Sequence, residues 1–175
     1  MRFHEPNALV PSLEVWDAVK NGSVDAGYTT PGYHAGKIPA VSYFTAVPFG
    51  PGASEYHGWM EYGGGQQLKD RIYGEYGLKA LNCLTHAPET SGWFRKKINN
   101  VEELKGMKMR FFGLGAMVMS KLGVSTQLLA GGDIYPALEK GVIDATEFSM
   151  PTHDLSYGFY PVSYTHLRAH ETEQH

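Results

Sequence analysis

Cysteine is nearly absent from this chain of 175 residues: Cys83 stands alone, so no internal disulfide can form and no CxxC pair can seed a zinc site. HExxH is missing too, and His34, His57 and His153 are scattered without ligand spacing. There is no GxSxG elbow, Walker loop or strand–GxGxxG–helix fingerprint, Gly113-Leu-Gly115 being too short to count. No apolar run is long enough to span a bilayer, and no charged stretch followed by an apolar one marks a leader. Positive charge is not in excess. A formal net charge of −3, with no Lys/Arg run forming a basic face, argues against a nucleic-acid binder.

A hydrophobic content of 42% with 13% aromatics is enough for a packed core, in one large domain or two small ones. The chain is organised around Gly131–Pro151, GGDIYPALEKGVIDATEFSMP. Asp133 is expected to cap a helix, with Pro136 still inside the first turn. Ile134, Ala137 and Leu138 recur at helical spacing, and Gly141 supplies a left-handed stop. Val142, Ile143 and Ala145 then begin a strand that ends on Glu147 and Phe148. In open α/β sheets ligands lie beyond the carboxyl ends of the strands, so Glu147 is placed to face one. The same unit stands near the N-terminus: WDAVKNGSVDA (Trp16–Ala26) matches YPALEKGVIDA (Tyr135–Ala145), with Asp25 and Asp144 119 residues apart. That spacing is too long for a solenoid and suits two α/β lobes built alike, facing each other across a cleft.

Between these copies the pattern predicts a helix over Pro11–Asn21 capped by Ser12, a buried strand at Val24–Thr29, and a polar, aromatic loop at Tyr28–Lys37. A strand at Pro39–Pro48 follows, then helices from Ser54 to Tyr62 and from Gln66 to Tyr76, an apolar strand at Leu78–Leu84 and a turn at Pro88–Gly92. Asn100 caps a short helix ended by Gly106; Met107–Phe112 and Val124–Leu129 read as strands flanking a helix at Ala116–Leu122. Val162–Thr172, VSYTHLRAHET, back-translates to a transposon adapter used in sequencing libraries. Residues 162–175 are therefore expected to be non-native, which removes His166, His170 and His175 from any metal argument. Both ends of the native protein are expected to be missing, and the chain as given to fold poorly. The expected division is 1–85 for the first lobe and 86–161 for the second.

Arg110 is the sharpest single residue. A charge inside the apolar run Met107–Phe112 needs a carboxylate, and its planar fork matches a ligand carboxylate in two-point contact. The alternative is a structural ion pair with Glu102 or Asp144. Glu147 offers a carboxylate to a hard cation, or else pairs with Arg110 or Lys140. Phe148, Trp93 and Tyr33 wall an apolar pocket or simply pack in the core. Cys83 and His86 form a C-x-x-H pair, a nucleophile only if both share one face at a strand end; otherwise Cys83 is a buried inert thiol.

Four segments carry a family resemblance: LVPSLEVWDAVKNGSVDAGYTTPGYHAGKIPA, WMEYGGG, SGWFRKKINNVEELKGMKMRFFG and AGGDIYPALEKGVIDATEFSMPTHDLSYGF. Together the chain resembles the solute-binding component of tripartite ATP-independent periplasmic (TRAP) transporters, the DctP-type family, in its branch for α-keto or α-hydroxy monocarboxylates. The resemblance implies a two-lobe, type II-like periplasmic binding-protein fold that closes on a carboxylate, with membrane permease subunits as partners and a dimer as one assembly. It puts the ligand-clamping arginine at Arg110, and Glu89 where relatives carry a polar residue, often Gln. It puts Glu147 and Phe148 where relatives have a Glu and an aromatic, usually Trp. There the Glu, with the backbone carbonyl at Phe148, helps hold Na⁺ or Ca²⁺. The substrate-binding set implied is thus Arg110, Glu89, Phe148, Trp93 and Tyr33, with no catalytic residue. Glu89 in place of Gln brings a negative charge near an anionic ligand unless a metal or proton offsets it. The readings from other classes are a hydrolase-type enzyme using Cys83/His86 and a ligand-sensing domain of a signalling protein.

Overall fold

The structure, a computed structural model, describes residues 2–86 and 89–163 and the backbone of 165–167. The turn expected at Pro88 and the three C-terminal histidines lie outside the described side chains. Two compact units divide the chain, Met1–Thr85 and His86–His175.

The first unit is helical. A 3₁₀ turn at Ser12–Glu14 runs into α1 (Val15–Lys20); 3₁₀ turns at Pro31–His34 and Pro39–Phe44 precede α2 (Ala53–Tyr62) and α3 (Gly65–Gly74). Trp16 anchors its core against Val41, Phe44, Met60, Ile72 and Tyr73. No strand forms among the described residues of this unit, against expectation at three places. Asp25–Tyr28 is exposed, and Leu81, Leu84 and Cys83 are exposed rather than buried. A strand persists only where a neighbour takes up its N–H and C=O groups, and alternating side chains do not supply that neighbour. Pro39–Phe44 coils instead: proline presets the first turn, and Val41 and Phe44, three apart, both point inward. Ser12 does not cap α1 but donates from its N–H and Oγ to Asn7 Oδ1, at 2.8 and 2.9 Å. At α2 the cap is Gly52, whose N–H donates to Glu55 Oε2 (2.8 Å), rather than Ser54.

The second unit is a mixed sheet with helices. Its strands are β1 (Gly92–Phe94), β2 (Lys108–Arg110), β3 (Ser125–Gln127), β4 (Ala145–Thr146) and β5 (Thr165–Leu167), in spatial order β3-β2-β4-β1-β5. β2 lies parallel to β3 and β4; β1 is antiparallel to β4 and β5. Helices α4 (Gly113–Lys121), α5 (Gly131–Glu139) and α6 (Pro151–Ser156) complete it. Successive residues of β1 point to opposite faces. Phe94 joins Met109, Val124 and Ala145 on one side, and Trp93 joins Ile134, Leu138, Ile143 and Phe159 on the other. β5 comes from the stretch expected to be non-native. Its pairing with β1 is backbone to backbone, which an open sheet edge offers to any sequence.

α5 begins earlier than the sequence suggested. Ala130 is the N-cap, Asp133 is the third helical residue, and Pro136 lies inside the helix rather than in its first turn. The glycine stop is as expected, and it is where the internal repeat is literal. Ser23 and Val24 N–H both donate to Ala18 C=O (2.8 and 3.4 Å), as Val142 and Ile143 donate to Ala137 C=O (2.9 and 3.3 Å). Gly22 and Gly141 take the same left-handed φ, +72° and +70°. Beyond this turn the copies part: one continues into β4, the other into unpaired chain.

Candidate functional site

β2 and β4 run side by side, with Arg110 opposite Thr146, so both deliver their next residues to one edge of the sheet. Arg110 is 1% exposed. Its Nε donates to Leu129 C=O at 3.1 Å; its Nη1 donates to the Glu147 carbonyl and to Glu147 Oε2, the latter at 3.1 Å. The Phe148 and Phe112 rings lie 5.2 and 5.8 Å from the guanidinium carbon, within cation–π range. Of the ion pairs the sequence left open for Arg110, with Glu102, Asp144 or Glu147, the one formed is with Glu147. Asp144 instead accepts from the Lys108 N–H at 3.0 Å.

Glu147, buried just past β4, is fixed at its backbone as well. Its N–H donates to Arg110 C=O (3.1 Å) and its C=O accepts from Thr146 Oγ1 (2.9 Å). Glu89, half-buried, hydrogen-bonds to it side chain to side chain. Burial, then the neighbouring Glu147 charge, pushes the Glu89 carboxyl up to about 8. Burial also raises Glu147, opposed by Arg110. Two carboxyls meeting in a poorly solvated place cannot both ionise cheaply, so one proton is held between them.

Sequence reasoning missed a third acid. Asp154 is fully buried at α6; its Oδ2 accepts from Trp93 Nε1 at 2.7 Å and Thr90 Oγ1 at 3.2 Å, while Oδ1 has no partner. Burial raises its carboxyl as well. The only sequence signal was an acid beside apolar helix positions, and its partner Trp93 lies 61 residues away. Trp93 itself is a core residue, 3% exposed, propping Asp154 rather than facing a pocket. Phe148 is half-buried, edge-on to Tyr157 and Phe159 with ring centroids 5.0 and 6.0 Å away. The Phe148 ring closes over the start of α5, where a Cβ on Gly131 would come within 2.5 Å of it. Tyr33 belongs to the first unit, half-buried in the 3₁₀ turn Pro31–His34.

Cys83 and His86 have separate neighbours. Cys83 Sγ lies 3.8 Å from Leu81 C=O, whereas His86 Nδ1 is 4.0 Å from Glu89 Oε1 and its ring is 6.2 Å from that of His153. Two surface cavities lie apart from the cluster. One of about 510 Å³ is lined by residues including Lys37, Tyr43, Leu68 and Tyr76; one of about 330 Å³ is lined by residues including Arg95, Lys105 and Asp144. Among the described residues no three His, Cys, Asp or Glu side chains converge as a metal cage. A hard cation beside Glu147 would therefore complete its shell from carbonyls, ligand and water. Two carboxyls whose charges repel suit such an ion, because it neutralises both.

A buried guanidinium at the carboxyl ends of parallel strands, walled by aromatic rings and faced by carboxyls, is the construction of an α/β solute-binding protein. The chain belongs to the bacterial extracellular solute-binding protein family 7, DctP, whose model matches residues 1–172. A monocarboxylate 2-oxoacid-binding periplasmic protein of Nostoc sp. is 44% identical over 150 residues, 86% of this chain and 41% of that protein. Among solved structures, a TRAP transporter solute-binding protein from Bordetella bronchiseptica RB50, with copurified calcium and picolinate, is 40% identical with a TM-score of 0.89. The match covers 93% of this chain and 48% of that one. A TRAP periplasmic solute-binding protein from Pseudoalteromonas atlantica T6c, with bound sodium and pyruvate, is 38% identical with a TM-score of 0.86, covering 90% and 48%. The chain thus spans about half the length of the relatives it matches.

Proposed function

We propose that this chain is part of a periplasmic solute-binding subunit that captures a small 2-oxo or 2-hydroxy monocarboxylate, with a dicarboxylate as the second choice, and hands it to a membrane TRAP permease. Its work is binding, not turnover. The observation that carries the reading is the guanidinium of Arg110. Its Nε and Nη1 are held by Leu129 and Glu147, which fixes the guanidinium, and its Nη2 is the group we assign to a ligand carboxylate. Glu147, with the backbone carbonyl of Phe148, holds Na⁺ or Ca²⁺, and the ion bridges to the carboxylate and α-oxygen of the ligand. Phe148 excludes water from that contact, and Glu89 adjusts the charge. Relatives carrying sodium or calcium with pyruvate or picolinate support the choice of ligand class and of ion. A dimer, described for the Bordetella relative, is the assembly we expect.

The test is calorimetric titration of the full-length protein with pyruvate, 2-oxobutyrate, lactate and succinate, with and without Na⁺ or Ca²⁺. Cation-dependent binding of a monocarboxylate, lost in Arg110→Ala, is the expected result. A folded protein that binds none of these acids would overturn the substrate class and leave the family membership standing.

A further inference from the structure

The two glutamates of the site are fixed in different ways. Glu147 follows β4 and is held by the sheet, its N–H on Arg110 C=O at 3.1 Å. Glu89 belongs to no helix or strand, yet its carboxyl meets that of Glu147. A side chain on irregular backbone keeps such a contact only if the backbone beside it is tied down. The tie is at the next residue. Thr90 is buried, and its Oγ1 stands 3.3 Å from Ser149 C=O and 3.2 Å from Asp154 Oδ2, with one proton to donate between them. Ser149 closely follows Glu147 in the chain, so a single hydroxyl joins the segment that carries Glu89 to the segment that carries Glu147. The same segment is pinned further along. Trp93 Nε1 donates to Asp154 Oδ2 at 2.7 Å, and Gly92 is packed so closely that a Cβ there would lie 2.9 Å from Met109 Cε and 3.1 Å from Thr146 C=O.

We infer that Thr90, held by Ser149 and Asp154, is a positioning residue of the solute site: it sets the Glu89 carboxyl against that of Glu147 and so shapes the place where cation and ligand carboxylate meet. Asp154 shows how firmly this joint is built. It is fully buried with Oδ1 lacking any partner, while Oδ2 takes both donors. A buried acid with one empty oxygen is unfavourable for folding by itself; what it secures is the approach of Glu89 to Glu147. Outer hydrogen bonds of this kind orient the groups that ligate, and losing one commonly weakens cation binding by about ten- to a hundredfold. The effect on solute rests on the proposed function; the effect on the carboxyl pair does not, and the two are read separately below.

In the full-length protein, the ¹³C carboxyl resonance of Glu89, identified by its loss in Glu89→Gln, reports the contact with Glu147 without any ligand. Calorimetric titration with pyruvate in the presence of Ca²⁺ reports the site. In Thr90→Val, which keeps the shape and deletes the donor, the resonance should move to that of a solvated glutamate and pyruvate affinity should fall about tenfold. Thr90→Ala serves in its place if a methyl among these polar groups prevents folding. Thr90→Ser keeps the hydroxyl and should leave both readings near the wild type. Thr126→Val removes a comparable hydroxyl, 2.8 Å from Ser120 Oγ on the edge strand β3, and should lower the melting temperature with neither reading changed. A Thr90→Val protein that likewise only melts earlier, or a Thr90→Ser protein that behaves like Thr90→Val, overturns the inference. A moved resonance with unchanged pyruvate affinity overturns it too. If the wild type binds no acid, a resonance that moves in Thr90→Val and not in Thr90→Ser fails the substrate reading alone.

Discussion

Removing the Arg110 guanidinium leaves Glu147 buried beside Glu89 and Asp154 without its counter-charge. Arg110→Ala should therefore cost stability as well as ligand, on the order of 3–5 kcal/mol in urea unfolding. Arg110→Lys keeps the charge but cannot reach Leu129, Glu147 and a ligand at once. It should recover part of the stability and little of the carboxylate affinity, a split that a purely structural arginine would not show. Asp154 presents the complementary case. Trp93→Phe keeps most of the packing and deletes the 2.7 Å donor to Oδ2, leaving an acid whose other oxygen already lacks a partner. A loss of about 1–3 kcal/mol is expected. Adding Asp154→Asn should return part of that loss, because the neutral amide costs less to bury; strict additivity in thermal melts would argue against the coupling. Arg110 and Glu147 were legible in the sequence because a charge interrupts an apolar strand and an acid ends one. Asp154 was not, since its burial is justified only by a residue distant in the chain.

At the scale of elements, what the sequence encodes best is punctuation. The glycine stops after α1 and α5 were readable because they need only local hydrogen bonds and a left-handed residue. Strands Met107–Phe112 and Val124–Leu129 were readable as types, if too long at both ends, and the capping of Val101–Leu104 by Asn100 holds with Glu103 N–H donating at 3.2 Å. The strands expected in the first unit failed because strand identity depends on a partner that no local pattern specifies. The two glycines make a paired test. Gly22→Ala meets open space and carries only the strain of a positive φ, about 1 kcal/mol. Gly141→Ala carries the same strain and drives a methyl into Arg95, so it should cost more. Equal melting shifts for the two variants would show that Arg95 simply swings aside.

For the whole molecule, the carboxyl cluster sets a dependence on pH that runs opposite to ordinary acid denaturation. Below the usual carboxylate value of 4.5 Glu89 is protonated both folded and unfolded, and contributes no slope. Between there and about 8 the unfolded chain has released a proton that the folded chain keeps. Stability must therefore fall as pH rises through that window and level off above it. Asp154, raised in the same direction, steepens the fall. Glu89→Gln keeps the size and hydrogen-bonding capacity while deleting the titration. Its denaturation midpoint should match the wild type near pH 4.5 and exceed it near pH 8, by on the order of 1–3 kcal/mol. A hard cation at Glu147 would act on the same proton. By favouring ionised carboxyls it should flatten the wild-type slope and release a proton on binding, seen as a buffer-dependent heat. In Glu89→Gln the ion should bind without that release. A wild-type stability that instead climbs from pH 4.5 to 8, with the cation making no difference, would mean that the two glutamates ionise independently and do not share a proton.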